Sequence, residues 1–227
     1  MKTLIFLHGA LGSSQQFEAL KQQLKSEYNI LTPDFSGHGS NAGNDTPFSI
    51  ELFVEDLLKY FRKNNIEKAG IFGYSMGGYV ALNFALLYPK KVQSVFTLAT
   101  KLNWNVTFAE KEVKMLDPMK MKDKIPAFVT HLKNLHGSDH WIELVNNTAK
   151  MISELGFDHL TTIDFQAISI PVRLALGDKD VMVSAAETLE VSHAIPNADM
   201  LTLSNTSHPF ESVNTLNLAN EIKTFFN

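Results

Sequence analysis

Ser75 stands at the centre of Gly73-Tyr74-Ser75-Met76-Gly77-Gly78, with a glycine two residues away on either side. This spacing suits a tight turn from a strand into a helix, in which the serine is held at strained backbone angles and its hydroxyl is lifted clear of the sheet edge. Side chains at positions 73 and 77 would collide with neighbouring backbone in such a turn. The positive end of the following helix would stabilise negative charge beside the hydroxyl. The expected chemistry is nucleophilic attack by the serine, followed by release of a covalent intermediate.

A serine hydroxyl is a weak nucleophile at neutral pH and needs a base within hydrogen-bond reach. Two later loops carry candidates. Ser207-His208-Pro209-Phe210 offers an imidazole, and Leu176-Gly177-Asp178-Lys179-Asp180 offers two carboxylates that could fix its tautomer. Gly-Asp-Lys-Asp is also good turn chemistry, so Asp178 and Asp180 both remain candidates from the residues alone. The tetrahedral intermediate of acyl transfer needs two N–H donors. The N–H of Met76, just after the nucleophile, is one, and that of Ala10, in His8-Gly9-Ala10-Leu11-Gly12, is the other. His8, Gly9, Leu11 and Tyr74 around this hole, with Trp104 and Trp141 further along the chain, are the candidate substrate contacts.

These loops need a frame, and the hydrophobic pattern supplies one. Short apolar runs at 3–7, 28–32, 68–72, 92–99, 171–176 and 200–203 read as strands, mostly buried on both faces. Helical periodicity covers about 13–25, a segment starting near Pro47 and fraying at 64–65, then 79–88, 185–193 and 216–226. Alternation of this kind predicts a mostly parallel sheet with helices on both faces, joined by right-handed crossovers. The candidate loops then fall at the carboxyl ends of strands, where open α/β sheets place their sites. From 101 to 165 the rhythm is helical only, interrupted at Pro118 and Pro126, and reads as an insertion within one domain of residues 1–227.

Composition narrows the classes. With 227 residues, 44% of them hydrophobic, the chain can bury a large core. A net charge of −4 and the lack of a basic run argue against nucleic acid or an anionic membrane as partner. The chain contains no cysteine, which excludes disulfides and thiolate catalysis. The apolar start, Met1 to Leu7, is too short for a signal peptide, and no run approaches the roughly 18 residues of a membrane span, so a cytoplasmic protein is expected. His131, His136 and His140 do not share one helical face, and no metal or other cofactor is expected.

Taken together, these stretches resemble the α/β-hydrolase superfamily in its small single-domain branch. His8-Gly9-x-x-Gly12 is similar to that family's oxyanion loop, and Asp34-Phe35-Ser36-Gly37-His38-Gly39-Ser40 to its D-x-x-G-x-G-x-S loop. Gly73 to Gly78 resembles its nucleophile elbow, Pro171 to Asp180 its acid segment, and Ser207 to Glu211 its histidine loop. The resemblance implies a Ser75–His208–Asp180 triad, favouring Asp180 over Asp178. It also implies that 101–165 forms a helical lid over Ser75. The methionines and aromatics of that segment, among them Met115, Met119, Met121, Trp141 and Met151, suggest an apolar pocket. The family's usual first two strands are missing, so about six strands are expected, with 28–32 on an edge beside 3–7. The implied activity is hydrolysis of a small carboxylic ester, thioester or related acyl substrate by a monomer or homodimer. C–C bond hydrolysis, lactone opening, perhydrolysis and a menaquinone-pathway type of lyase share the machinery. Tyr79 stands where that lyase usually has arginine. A ligand-binding receptor on the same fold is the alternative from another class.

Overall fold

The computed structural model describes residues 1–43 and 46–227. Six strands, β1 (Lys2–Leu7), β2 (Tyr28–Leu31), β3 (Ala69–Tyr74), β4 (Val92–Leu98), β5 (Val172–Gly177) and β6 (Ala198–Leu203), form one sheet in the order β2-β1-β3-β4-β5-β6. Every neighbouring pair is parallel. β2 lies on the edge beside β1, and no antiparallel pair precedes it among the described residues.

The pleat explains why these strands read as continuous apolar runs. Leu4, Phe6, Phe72 and Phe96 point to one face, where they meet α1 (Glu18–Leu24) and α10 (Thr215–Phe226). Ile5, Leu7, Ile71 and Val95 point to the other, against α2 (Ile50–Lys63) and α3 (Met76–Leu87). α9 (Ala185–Ala194) adds Val191 to this second face. α3 is buried on nearly every side, including Val80, Ala81, Leu82 and Phe84, which accounts for its lack of a polar stripe.

Between β4 and β5 the chain forms α4 (Val106–Val113), α5 (Pro118–Lys124), α6 (Pro126–His136), α7 (Trp141–Leu155) and α8 (Thr162–Ala167). Pro118 and Pro126 are the first residues of α5 and α6, so they start helices rather than merely interrupt one. Proline lacks an N–H that the first turn could not use in any case. Pro47, by contrast, lies outside its helix. α2 begins at Ile50 because the Ser49 hydroxyl caps it, accepting from the Leu52 N–H at 3.1 Å. The first helical segment is also split: Ser13 caps a 3-10 turn at Ser14–Phe17 before α1 begins. No helix among the described residues is long and apolar enough to cross a membrane.

Candidate active site

β3 delivers Ser75 to the carboxyl edge of the sheet, and α3 starts at the next residue. Ser75 has φ 51° and ψ −118°, a left-handed conformation unfavourable to any residue with a Cβ. The turn holds because its neighbours leave no alternative. A side chain at Gly77 would strike the Leu7 carbonyl at the end of β1. The Ser75 N–H donates to Leu98 O at 2.8 Å, and Thr100 Oγ1 donates to Ser75 O at 3.1 Å.

His208 arrives on the loop after β6. Its Nε2 lies 3.3 Å from Ser75 Oγ, and its Nδ1 lies 2.8 Å from Asp180 Oδ2. A carboxylate only accepts, so Nδ1 carries the proton and Nε2 presents its lone pair to the serine hydroxyl. Asp180 lies on the loop after β5 with its side chain fully buried. Its other oxygen accepts from the N–H groups of Met182 and Val183 at 2.8 and 2.9 Å. Burial alone would push this carboxyl up. The hydrogen bonds from His208 and Val183, with smaller help from Met182, outweigh it and hold Asp180 below the ordinary carboxylate range. Asp178 faces elsewhere: its Oδ1 accepts from the Thr206 N–H at 3.1 Å and shapes the histidine loop.

The loop after β1 lies directly against the nucleophile. A Cβ at Gly9 would sit 3.3 Å from Ser75 Cβ and press into the Tyr74 ring, so only glycine allows this approach. Gly12 N–H closes the turn onto Gly9 O at 3.2 Å. The N–H groups of Ala10 and Met76 make no hydrogen bond to another described residue. They are two free donors flanking the serine.

One buried histidine fastens this loop from below, and a second packs against it. His8 Nδ1–H donates to Gly9 O at 2.9 Å, and its Nε2 accepts from the Phe35 N–H at 3.1 Å. His38 Nδ1–H donates to Ser36 O at 3.0 Å, and its ring lies 5.0 Å from that of His8. Asp34 ties the neighbouring chain down by accepting from Ser14 N, Ser40 N and Ser40 Oγ at 2.7 to 2.9 Å. Burial lowers the His8 imidazole to about 4, holds His38 well below its ordinary value and lowers His136 as well. All three are therefore neutral in the fold, whereas in the unfolded chain they take up protons below about pH 6.5. This stabilisation is complete above about pH 6.5 and is lost as pH falls toward the folded values, for His8 alone on the order of 3 kcal/mol. The melting temperature should be level above pH 7 and fall steeply between about pH 6.5 and 4, ahead of the carboxylates. Calorimetry showing a flat profile down to pH 4 would contradict this.

The candidate substrate contacts separate into two groups. A cavity of about 60 Å³ opens at Ser75, with Ala10 and Met76 on its wall. Trp104 lines it, with Met151, Ile152 and Leu155 of α7. His8 does not reach it, being fully buried beneath the loop. Leu11 is absent from the lining, and Gly9 contributes only close backbone approach. Tyr74 works from behind: its hydroxyl donates to His208 O at 2.9 Å. Trp141 packs with Met121, Val129, Leu132 and Val145 in a separate small core under α5 and α6. The methionines divide likewise. Met151 lines the cavity, Met121 belongs to the small core, and Met115 and Met119 are exposed.

Several residues at the cavity carry no motif that sequence reading could catch. Ile50 and Met182 reach it from α2 and the loop after Asp180. Tyr79 lines it while its hydroxyl accepts from the Leu160 N–H at 2.7 Å. Lys101 also lines it, held by Glu187 at 2.6 Å and lying 4.2 Å above the Phe108 ring.

Comparison with known proteins agrees with this fold. Residues 2–142 match the family model described as the alpha/beta hydrolase fold. A protein of Bacillus subtilis, provisionally named a 2-succinyl-6-hydroxy-2,4-cyclohexadiene-1-carboxylate synthase, is 28% identical over 141 residues, spanning 59% of this chain and 51% of its own length. The sn-1-specific diacylglycerol lipase of Danio rerio is 23% identical over 98% of this chain and 77% of its own. The chain thus spans about half of the first relative and about three quarters of the second. In fold, the enol-lactonase of Burkholderia xenovorans superimposes with a TM-score of 0.77 at 16% identity, over 99% of this chain and 90% of that one. With the family model covering more than half of its length, the chain belongs to the α/β-hydrolase fold family.

Proposed function

We propose that this chain is a serine hydrolase acting on a small carboxylic ester, thioester or related acyl compound. One observation carries the proposal: an unbroken hydrogen-bonded line from Ser75 Oγ through His208 to Asp180, beside two unpaired N–H groups. Substrate binding would tighten the 3.3 Å contact as the hydroxyl meets the carbonyl carbon. Ser75 Oγ bonds to that carbon, its proton passes to His208 Nε2, and the carbonyl electron pair settles on an oxygen facing Ala10 and Met76. His208 then protonates the leaving group. Water, deprotonated by the same imidazole, releases the acid and restores the enzyme. Asp180 stays ionised throughout and stabilises the imidazolium.

The cavity supports a short acyl group. Its volume of about 60 Å³ is well under half of the roughly 150 Å³ that accommodates benzene in an apolar cavity. Its wall is almost wholly apolar, and the helices between β4 and β5 act as the lid that closes it. Activity on p-nitrophenyl esters should therefore peak at two to four acyl carbons and fall by about tenfold or more by eight. Leu155→Ala should shift the optimum to longer chains, because it removes wall volume next to Met151 and Ile152. A profile rising to long chains in the unmodified protein would refute the short-acyl reading. Saturable ligand stabilisation without turnover of any ester, thioester or lactone would favour the receptor reading instead.

A further inference from the structure

We propose that His136, at the end of lid helix α6, is a positioning residue that aims the Ala10 N–H at the reacting oxygen. The inference rests on the hydrolase reading above and extends it to a residue outside the triad and the oxyanion hole. His136 is buried, and both of its ring nitrogens are engaged. Nε2–H donates to Leu11 O at 2.9 Å, and Nδ1 accepts from the Gly39 N–H at 2.9 Å. A carbonyl can only accept and an amide N–H can only donate, so these two partners define one neutral tautomer. The imidazole thereby joins three segments distant in sequence: the lid, the loop after β1 and the loop after β2.

The bond to Leu11 falls where the loop most needs support. Leu11 has φ 59°, an unfavourable backbone conformation for leucine. Its carbonyl is one of two that bracket Ala10. The other, Gly9 O, accepts from His8 Nδ1–H at 2.9 Å. An imidazole thus holds the carbonyl on each side of Ala10, whose N–H makes no hydrogen bond to another described residue and which lines the cavity at Ser75. His8 is fixed within the sheet edge, but His136 comes from the lid. The seating of α6 and the aim of the oxyanion donor are therefore set by the same side chain. A donor displaced by about 1 Å costs on the order of 10²-fold in rate, even when the substrate still binds.

The test compares His136→Leu, which removes both bonds, with His136→Gln, which retains a donor and an acceptor. Leu132→Ala serves as a control, because Leu132 lies on the same helix in the small core against which Leu11 packs, but makes neither of the two hydrogen bonds. Three quantities are measured: kcat and KM for p-nitrophenyl acetate, and the Kd of a short-chain trifluoromethyl ketone. That ketone reports on the oxyanion hole, since Ser75 Oγ adds to its carbonyl carbon, the proton moves to His208 and the electron pair becomes an oxyanion. The expected result for His136→Leu is a kcat lowered by about 10- to 100-fold, ketone affinity lowered in parallel, and KM within about threefold. His136→Gln should recover much of both losses, and Leu132→Ala should lower the melting temperature with kcat little changed. If the leucine protein does not fold, His136→Asn, too short to span both partners, is judged by the same joint criterion. A folded variant with wild-type kcat, or one that loses kcat while its ketone affinity is intact, overturns the proposal. Failure of the unmodified protein to turn over esters or bind the ketone would instead overturn the hydrolase reading itself.

Discussion

Ser75→Ala is expected to lower kcat for short esters by about 10⁴- to 10⁶-fold, with KM and melting temperature close to those of the unmodified protein. The separation of effects follows from the geometry. The Ser75 hydroxyl makes one contact, the 3.3 Å approach to His208, so its removal leaves no buried polar group unpaired. The turn is held by backbone bonds to Leu98 and Thr100 that an alanine keeps. Alanine tolerates the strained φ no better and no worse than serine. The apolar wall that receives the acyl group is untouched, so binding persists while the covalent step is lost. A variant retaining more than about one tenth of the rate would mean that another group performs the chemistry.

Asp180→Asn should be nearly as damaging, at about 10⁴-fold in kcat, although only one atom changes its character. The Met182 and Val183 N–H groups require an acceptor on one side of the side chain, so the asparagine carbonyl would face them. Its amide nitrogen would then face His208 Nδ1 across the 2.8 Å gap and donate to it. Nδ1 would have to accept, the proton would move to Nε2, and the lone pair that should receive the serine proton would be gone. Asp178→Asn is the matching control. That carboxylate accepts from the Thr206 N–H and does not meet His208, so kcat should change by less than about tenfold. Equal losses in the two variants would contradict the assignment of the acid, as would an unaffected Asp180→Asn.

Much of this was legible in the sequence because parallel strands buried on both faces leave unbroken apolar runs, and because tight turns leave glycines. The 68–74 run, Ser75 and the glycines around it state the nucleophile turn almost completely. The choice between Asp178 and Asp180 was not legible from turn chemistry alone, since both suit the loop. It depends on which carboxylate the return of β6 brings to His208. The lid was the least legible part. Its helices bury parts of several faces, so a methionine or tryptophan there gives no sign of whether it faces Ser75 or a neighbouring helix. Trp104 and Met151 reach the cavity, while Trp141 and Met121 form the small core under α5 and α6. His8 shows a related limit. Its place beside the oxyanion loop suggested contact with substrate, but a buried imidazole with two backbone partners is a structural strut. His136 carried no local sign of this role, because its partners lie 125 and 97 residues away.

The central claim is that Ser75 is an activated nucleophile, and covalent labelling addresses it most directly. The folded protein is treated with a fluorophosphonate, digested and mapped by mass spectrometry. The expected result is a single phosphonyl adduct on the peptide containing Ser75, absent from Ser75→Ala and strongly slowed in Asp180→Asn. No adduct on the folded protein, or an adduct on another residue that persists in Ser75→Ala, would contradict the claim.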